Sequence, residues 1–326
     1  MSSSSNQENI NKPEGKSILN VVLVFLIKMI TWILKGVSRC TPHKVTSRLL
    51  STFHQPDLKA IAKELENFPG GSIDLTKDNE TGIAVMVINN PDKRNSLSGK
   101  MMVEMSEKVD QLEQWAQGKG LILMGKDGSF CSGGDLAFVK KALHYGAEMA
   151  AFQHHTLTRL HNLPLISVAL LQGHTLGGGA ELSTACDFRV MSTSGKIGFV
   201  QVKMGITTGW GATTRLVSLL GRKKALQFLS SAKIMSAQEA HQEGLVDHIL
   251  QNSLSHNEEL EACKQWLGLN YCNFDSNLLQ AVKALVVHCD SSKDTSKSLK
   301  YERDVFAQFW GGPAQKAALA AKIKHN

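Results

Sequence analysis

Two glycine clusters, about forty-five positions apart, carry the residues of this sequence best suited to chemistry. The first is Phe130-Cys131-Ser132-Gly133-Gly134-Asp135-Leu136. The second is Gly173-His174-Thr175-Leu176-Gly177-Gly178-Gly179-Ala180-Glu181-Leu182. Glycine permits tight turns and lets a ligand approach the backbone closely. A helix that opens on such a turn offers free N–H groups and a dipole that favours negative charge. Two turns of this kind aimed at one point form an oxyanion hole. A thioester needs that device when its α-carbon loses a group and charge collects on the carbonyl oxygen. Taken singly, each cluster also fits a tight connection or a phosphate cradle, and neither has the GxGxxG or Walker A spacing.

Glu181 sits just after the second cluster, where two roles stand open: a reacting or positioning carboxylate, and a carboxylate that simply favours the first turn of a helix. Asp135 has the place of a residue that orients its loop by capping. Cys131 reads as a small apolar filler, and Trp210 as either packing or substrate contact. His154 and His155 fit a helix and lack metal-ligand spacing.

These residues must be positioned by strands and helices. Ile83 to Ile88 is an apolar run suited to a buried strand, ended by Asn89-Asn90-Pro91. Ser98 caps a helix whose Met102, Met105, Val109 and Leu112 recur at helical spacing. Leu121 to Met124 and Leu165 to Leu171 are further strands, the first leading towards the first cluster and the second into the other. A helix follows residues 177–179, then Phe188 to Met191 is a strand. Ser236 and Glu239 form a capping box, Gly244 ends its helix, and Leu245 to Leu250 is strand or extended. From about residue 258 the period is helical. Alternating strands and helices predict an α/β body with a mainly helical C-terminal part. The expected division is an N-terminal extension over 1–50, a core over 51–257 and a helical region over 258–326.

Composition sets the class. The chain has 326 residues, 42% hydrophobic and 20% charged, as in an ordinary globular protein. Its net charge of +7 is uneven: residues 1–50 carry +5, residues 311–326 carry +3, and the body between is −1. A near-neutral body argues against a nucleic-acid binder. Cysteines 40, 131, 186, 263, 272 and 289 form no CxxC pair and no disulfide framework, which fits reduced thiols inside a cell. Residues 18–34 are strongly apolar but interrupted by Asn20, Lys28 and Thr31. A spanning helix needs about 20 mainly apolar residues, so an anchor, a targeting segment and an amphipathic interfacial helix all remain open.

The stretch from Asn89 through Asn95, FCSGGDL, LGGGAEL with Cys186-Asp187-Phe188-Arg189, and Gly205 to Leu216 together resemble the enoyl-CoA hydratase/isomerase (crotonase) family over roughly residues 70–250. The resemblance implies a crotonase-like spiral of ββα units and C-terminal helices that mediate trimerisation, giving a homotrimer or hexamer. It also implies an acyl-CoA thioester ligand, cytosolic location, and no metal or separate cofactor, coenzyme A being part of the substrate. It further implies that Gly134 and Gly178 supply the oxyanion N–H groups. Glu181 and Gln201 stand at the family's two catalytic positions, and Arg94, Gly133, Asp135, Gly177 and Trp210 are expected around the substrate.

Hydratases of the family use two glutamates, and here the second position holds Gln201, an amide unable to act as acid or base near neutral pH. The turn Thr207-Thr208-Gly209-Trp210-Gly211 also departs from the common pattern. Trp210, Phe68 to Leu75, Glu302-Arg303-Asp304 and Trp310-Gly311-Gly312-Pro313 resemble the branch that decarboxylates alkylmalonyl-CoA thioesters. That branch implies conversion of ethylmalonyl-CoA to butyryl-CoA, and less well of methylmalonyl-CoA to propionyl-CoA, as metabolite proofreading. Enoyl-CoA isomerisation, thioester hydrolysis, and a non-catalytic RNA-binding or membrane-tethered role are the alternatives.

Overall fold

A computed structural model describes residues 56–251 and 254–321; the apolar segment 18–34 lies outside them. The central sheet has six strands: β1 (Ser72–Asp78), β2 (Ile83–Asn89), β3 (Gly120–Gly125), β4 (Ile166–Leu171), β6 (Phe188–Met191) and β9 (His248–Ile249), adjacent in that order. β1 pairs antiparallel with β2, and all later pairings are parallel. A second sheet joins β5 (His174–Leu176), β7 (Lys196–Gly198) and β8 (Met235–Ser236).

Strand alternation divides the interior in two. Met86, Ile88, Leu121, Leu123, Ala169 and Leu171 face a core shared with α1 (Leu58–Glu66), α2 (Gly99–Glu113) and α4 (Gly146–His161). Their neighbours Ile122, Met124, Val168 and Leu170 face a second core closed by Cys263 and Leu267 of α8 (His256–Tyr271). Successive strand side chains point to opposite faces, so continuous apolar runs are the sequence expected of a sheet covered on both sides. Truncating Leu123 to Ala would remove about 2–5 kcal/mol from a site of this kind.

Local chemistry fixes the element ends. Ser98 Oγ accepts from Met101 N at 3.2 Å and donates to the Gly70 carbonyl at 2.6 Å, so the expected N-cap also holds the preceding loop. The capping box at Ser236 is present at α7 (Ala237–Gln242), and a second one at Ser255 and Glu258 starts α8. Two elements differ from expectation. Within Leu245 to Leu250 only His248 and Ile249 pair as strand, because Leu245 N and Val246 N are taken by the Ala240 carbonyl. β1 was not anticipated, since SIDLTKD is polar and buries only Ile73 as an edge strand.

The remaining helices are α3 (Leu136–Lys141), α5 (Gly178–Ser183), α6 (Ala212–Ser231), α9 (Ser276–Ser291), α10 (Thr295–Phe309) and α11 (Pro313–Ala320). Among the described residues no helix is long and apolar enough to cross a membrane.

Candidate active site

The two glycine clusters are stitched together by backbone bonds. Phe130 N donates to the Gln172 carbonyl at 2.8 Å, Cys131 N to His174 at 3.2 Å, and Leu176 N returns to Cys131 at 3.0 Å. On the other side Leu97 N donates to Gly133 O and Asp135 N to Leu97 O, both at 2.8 Å. That pairing brackets Gly134 and leaves its N–H without a protein acceptor among the described residues. Gly178 opens α5, so its N–H has no partner within the helix either. The two segments touch: a Cβ on Gly133 would stand 3.0 Å from Gly178 N. Gly177 makes the turn at φ 54° and ψ −121°, a conformation open in practice only to glycine.

Asn95, fully buried, holds both entering loops. Its Oδ1 accepts from Asn90 N at 2.8 Å, and its Nδ2 donates to the carbonyls of Lys126 and Ser129 at 2.7 and 2.6 Å. Arg94 beside it is exposed, and its carbonyl accepts from Ser132 N at 3.1 Å, so it flanks the first cluster.

Asp135 commits its carboxylate to the start of α3 and to Lys93. Its Oδ1 caps α3 through Ala137 N and Phe138 N at 2.7 and 3.0 Å, and its Oδ2 pairs with Lys93 Nζ at 2.6 Å. Burial alone would raise this carboxyl; the Lys93 ammonium and the two N–H groups outweigh it and hold the group below its ordinary range. The geometry gives Asp135 the capping task expected of it. Cys131 is buried and its thiol is pushed up to about 12 by burial, which leaves it inert at neutral pH.

Glu181 is 2% exposed and its carboxylate is fully engaged. Oε1 accepts from Gln201 Nε2 at 2.8 Å and Gly209 N at 3.2 Å; Oε2 accepts from Trp210 N at 2.8 Å and Ala212 N at 3.2 Å. The Trp210 indole lies over Gly178, where a Cβ would meet its ring at 2.6 Å. Thus Glu181, Gln201, Trp210 and Gly178, dispersed over some thirty positions, form one packed unit. Sequence reasoning missed Arg215, which ties this unit from behind. Its Nη2 donates to the carbonyls of Trp210 at 2.7 Å and Glu181 at 3.2 Å, and its Nε to Thr184 Oγ1 at 2.9 Å. Burial pushes its guanidinium down to about 10, partly offset by Glu181. In sequence Arg215 lies in the first turn of α6, so nothing local pointed to the end of α5 that it reaches.

This constellation places two unpaired backbone donors at adjoining turns beside a fixed aromatic wall, an arrangement able to carry charge on a thioester oxygen. The sequence matches the family described as Enoyl-CoA hydratase/isomerase across residues 78–320. The chain belongs to the enoyl-CoA hydratase/isomerase family. It is 45% identical over 271 residues to an ethylmalonyl-CoA decarboxylase of Danio rerio, covering 82% of this chain and 88% of that one. To its counterpart from Homo sapiens it is 42% identical over 288 residues, covering 87% and 92%. The fold is similar to the crystal structure of an enoyl-CoA hydratase from Geobacillus kaustophilus, with a TM-score of 0.69 and 25% identity over 79% of this chain and 97% of that one. The architecture is the crotonase fold expected from sequence.

Proposed function

We propose that this chain decarboxylates ethylmalonyl-CoA to butyryl-CoA, and methylmalonyl-CoA to propionyl-CoA less efficiently, as a carboxy-lyase that removes an unwanted thioester. The names of its relatives support the substrate; the site supports the reaction. The observation that carries it is the pairing of free Gly134 and Gly178 N–H groups with a Glu181 whose four hydrogen bonds leave it no role as a base.

Decarboxylation is the thioester reaction that needs no base. The C–C bond to the carboxylate breaks, its electrons pass to the α-carbon and thioester oxygen, and CO₂ departs. The two N–H groups stabilise the resulting enolate, and one proton, drawn from solvent water, then returns to the α-carbon. Gln201 and Trp210 shape the wall around the departing carboxylate, Gly133 and Gly177 set the turns, and exposed Arg94 lies where the CoA portion enters. Coenzyme A arrives as part of the substrate, and the chemistry asks for no further cofactor.

Assembly as a homotrimer or hexamer is supported by the apolar surface of the C-terminal helices, where Val286, Leu299, Phe306 and Trp310 are all more than half exposed. Cytosolic location is supported by the five described cysteines, all free thiols.

The test is mass spectrometry of CoA products after incubation with ethylmalonyl-CoA, methylmalonyl-CoA and crotonyl-CoA. Butyryl-CoA from the first with crotonyl-CoA untouched is the expected result. A shifted double bond or free CoA without loss of CO₂ would replace the reaction while keeping the site.

A further inference from the structure

We infer that Arg215 is a positioning residue for catalysis, holding Trp210 and Glu181 in the geometry that aims the Gly178 N–H. The inference rests on the enolate-stabilising role given to Gly178 above. All three bonds of the guanidinium go to uncharged oxygens of the site: the Trp210 and Glu181 carbonyls and Thr184 Oγ1. With the bond from Trp210 N to Glu181 Oε2 they close a ring in which neither residue can shift without breaking a contact. Trp210 in turn covers Gly178. α5 is only six residues long and has little rigidity of its own, so its first N–H depends on what clamps its far end. The planar fork of arginine reaches Thr184 and both carbonyls together; a lysine ammonium cannot match it.

The outer side of Arg215 lines a cavity of about 850 Å³, together with His161, Thr184, Lys283 and Asp290. A small cation in solution therefore has a route to the place the guanidinium would leave.

The experiment compares full-length wild type, Arg215→Ala and Arg215→Lys. Misplacement of a catalytic group by about 1 Å reduces turnover on the order of 100-fold, so kcat should fall by about 30- to 100-fold in both variants, with KM within about threefold. Ethylguanidinium should restore kcat of Arg215→Ala at least about fivefold and leave Arg215→Lys unchanged, because the lysine chain blocks the space. Binding of a nitronate-bearing CoA thioether, a stable enolate mimic, should weaken by about the same factor as kcat, while free CoA binds as before. Unchanged kcat in either folded variant, a loss confined to KM, or equal weakening of nitronate and CoA would overturn the inference. If Arg215→Ala fails to fold, Arg215→Lys decides by the same nitronate-to-CoA ratio. A wild type that binds the nitronate but releases no CO₂ would end the proposed reaction and still leave Arg215 to be judged by that ratio.

Discussion

Gln201 donates its side-chain amide to Glu181 Oε1 at 2.8 Å, and this contact turns the carboxylate into a strut. With Gly209, Trp210 and Ala212 supplying the other donors, Glu181 fastens the loop before α6 to the helix that presents Gly178. An amide suits the position because it offers N–H to the carboxylate; a second carboxylate would repel it.

Gln201→Glu should therefore destabilise the fold by about 2 kcal/mol at pH 7, measured by urea unfolding. Two carboxyls in contact cannot both ionise, so the introduced group is raised above its unfolded value. The penalty should shrink as pH falls towards about 4.3, where the unfolded carboxyl also takes its proton. A penalty that grows on acidification would contradict the contact.

Alanine at Gly134 and Gly178, the glycines proposed to hold the enolate oxygen, should behave unequally. At Gly178 a Cβ meets the Trp210 ring at 2.6 Å, whereas at Gly134 the nearest contact is Val139 Cγ2 at 3.2 Å. Gly178→Ala should lower kcat about 100-fold and stability by about 1–3 kcal/mol. Gly134→Ala keeps its N–H and should change stability by less than about 1 kcal/mol. Parallel kinetics and thermal melts separate the two.

Asp135→Ala removes the cap of α3 and should lower stability by about 1 kcal/mol at neutral pH. The native carboxyl is held below its unfolded value, so its contribution is complete above about pH 4 and is lost as pH falls through the folded value. Unfolding curves of wild type and variant should approach one another below about pH 4.

Arg189 is 2% exposed and ties the turn before β6 to the stretch after α7, donating to Leu245 O at 2.6 Å, Cys186 O at 3.0 Å, and Asp187 O and Asp247 Oδ2 at 3.1 Å. Asp247 is partly exposed, which moderates the pair. Arg189→Met should still lower stability by about 2–3 kcal/mol, because it leaves the carbonyls of Leu245, Cys186 and Asp187 without this donor and takes the cation from Asp247, which keeps only the bond from the residue 189 backbone N–H. Chemical denaturation measures this directly.

Much of the frame was legible because local rules agree with the fold. The runs at 83–88, 121–124 and 165–171 are apolar on both faces, which only a covered sheet satisfies, and Ser98 and Ser236 sit where N-caps belong. The glycine clusters were legible for the same reason, since their turns demand glycine whatever surrounds them.

What the sequence could not decide was the use made of its polar side chains. Asp135 had the place of a loop-orienting cap, whereas Glu181 stood open between a chemical and a structural role. Folding brings Lys93 to the first, and Gln201 with three backbone N–H groups to the second, from positions 20 to 42 residues away. Arg215 carried no sign of its task until α6 laid it across the end of α5. Backbone conformation is set by neighbours along the chain, whereas the partner of a buried charge is set by packing in three dimensions. The first was written in the order of residues, and the second appeared only when they were brought together.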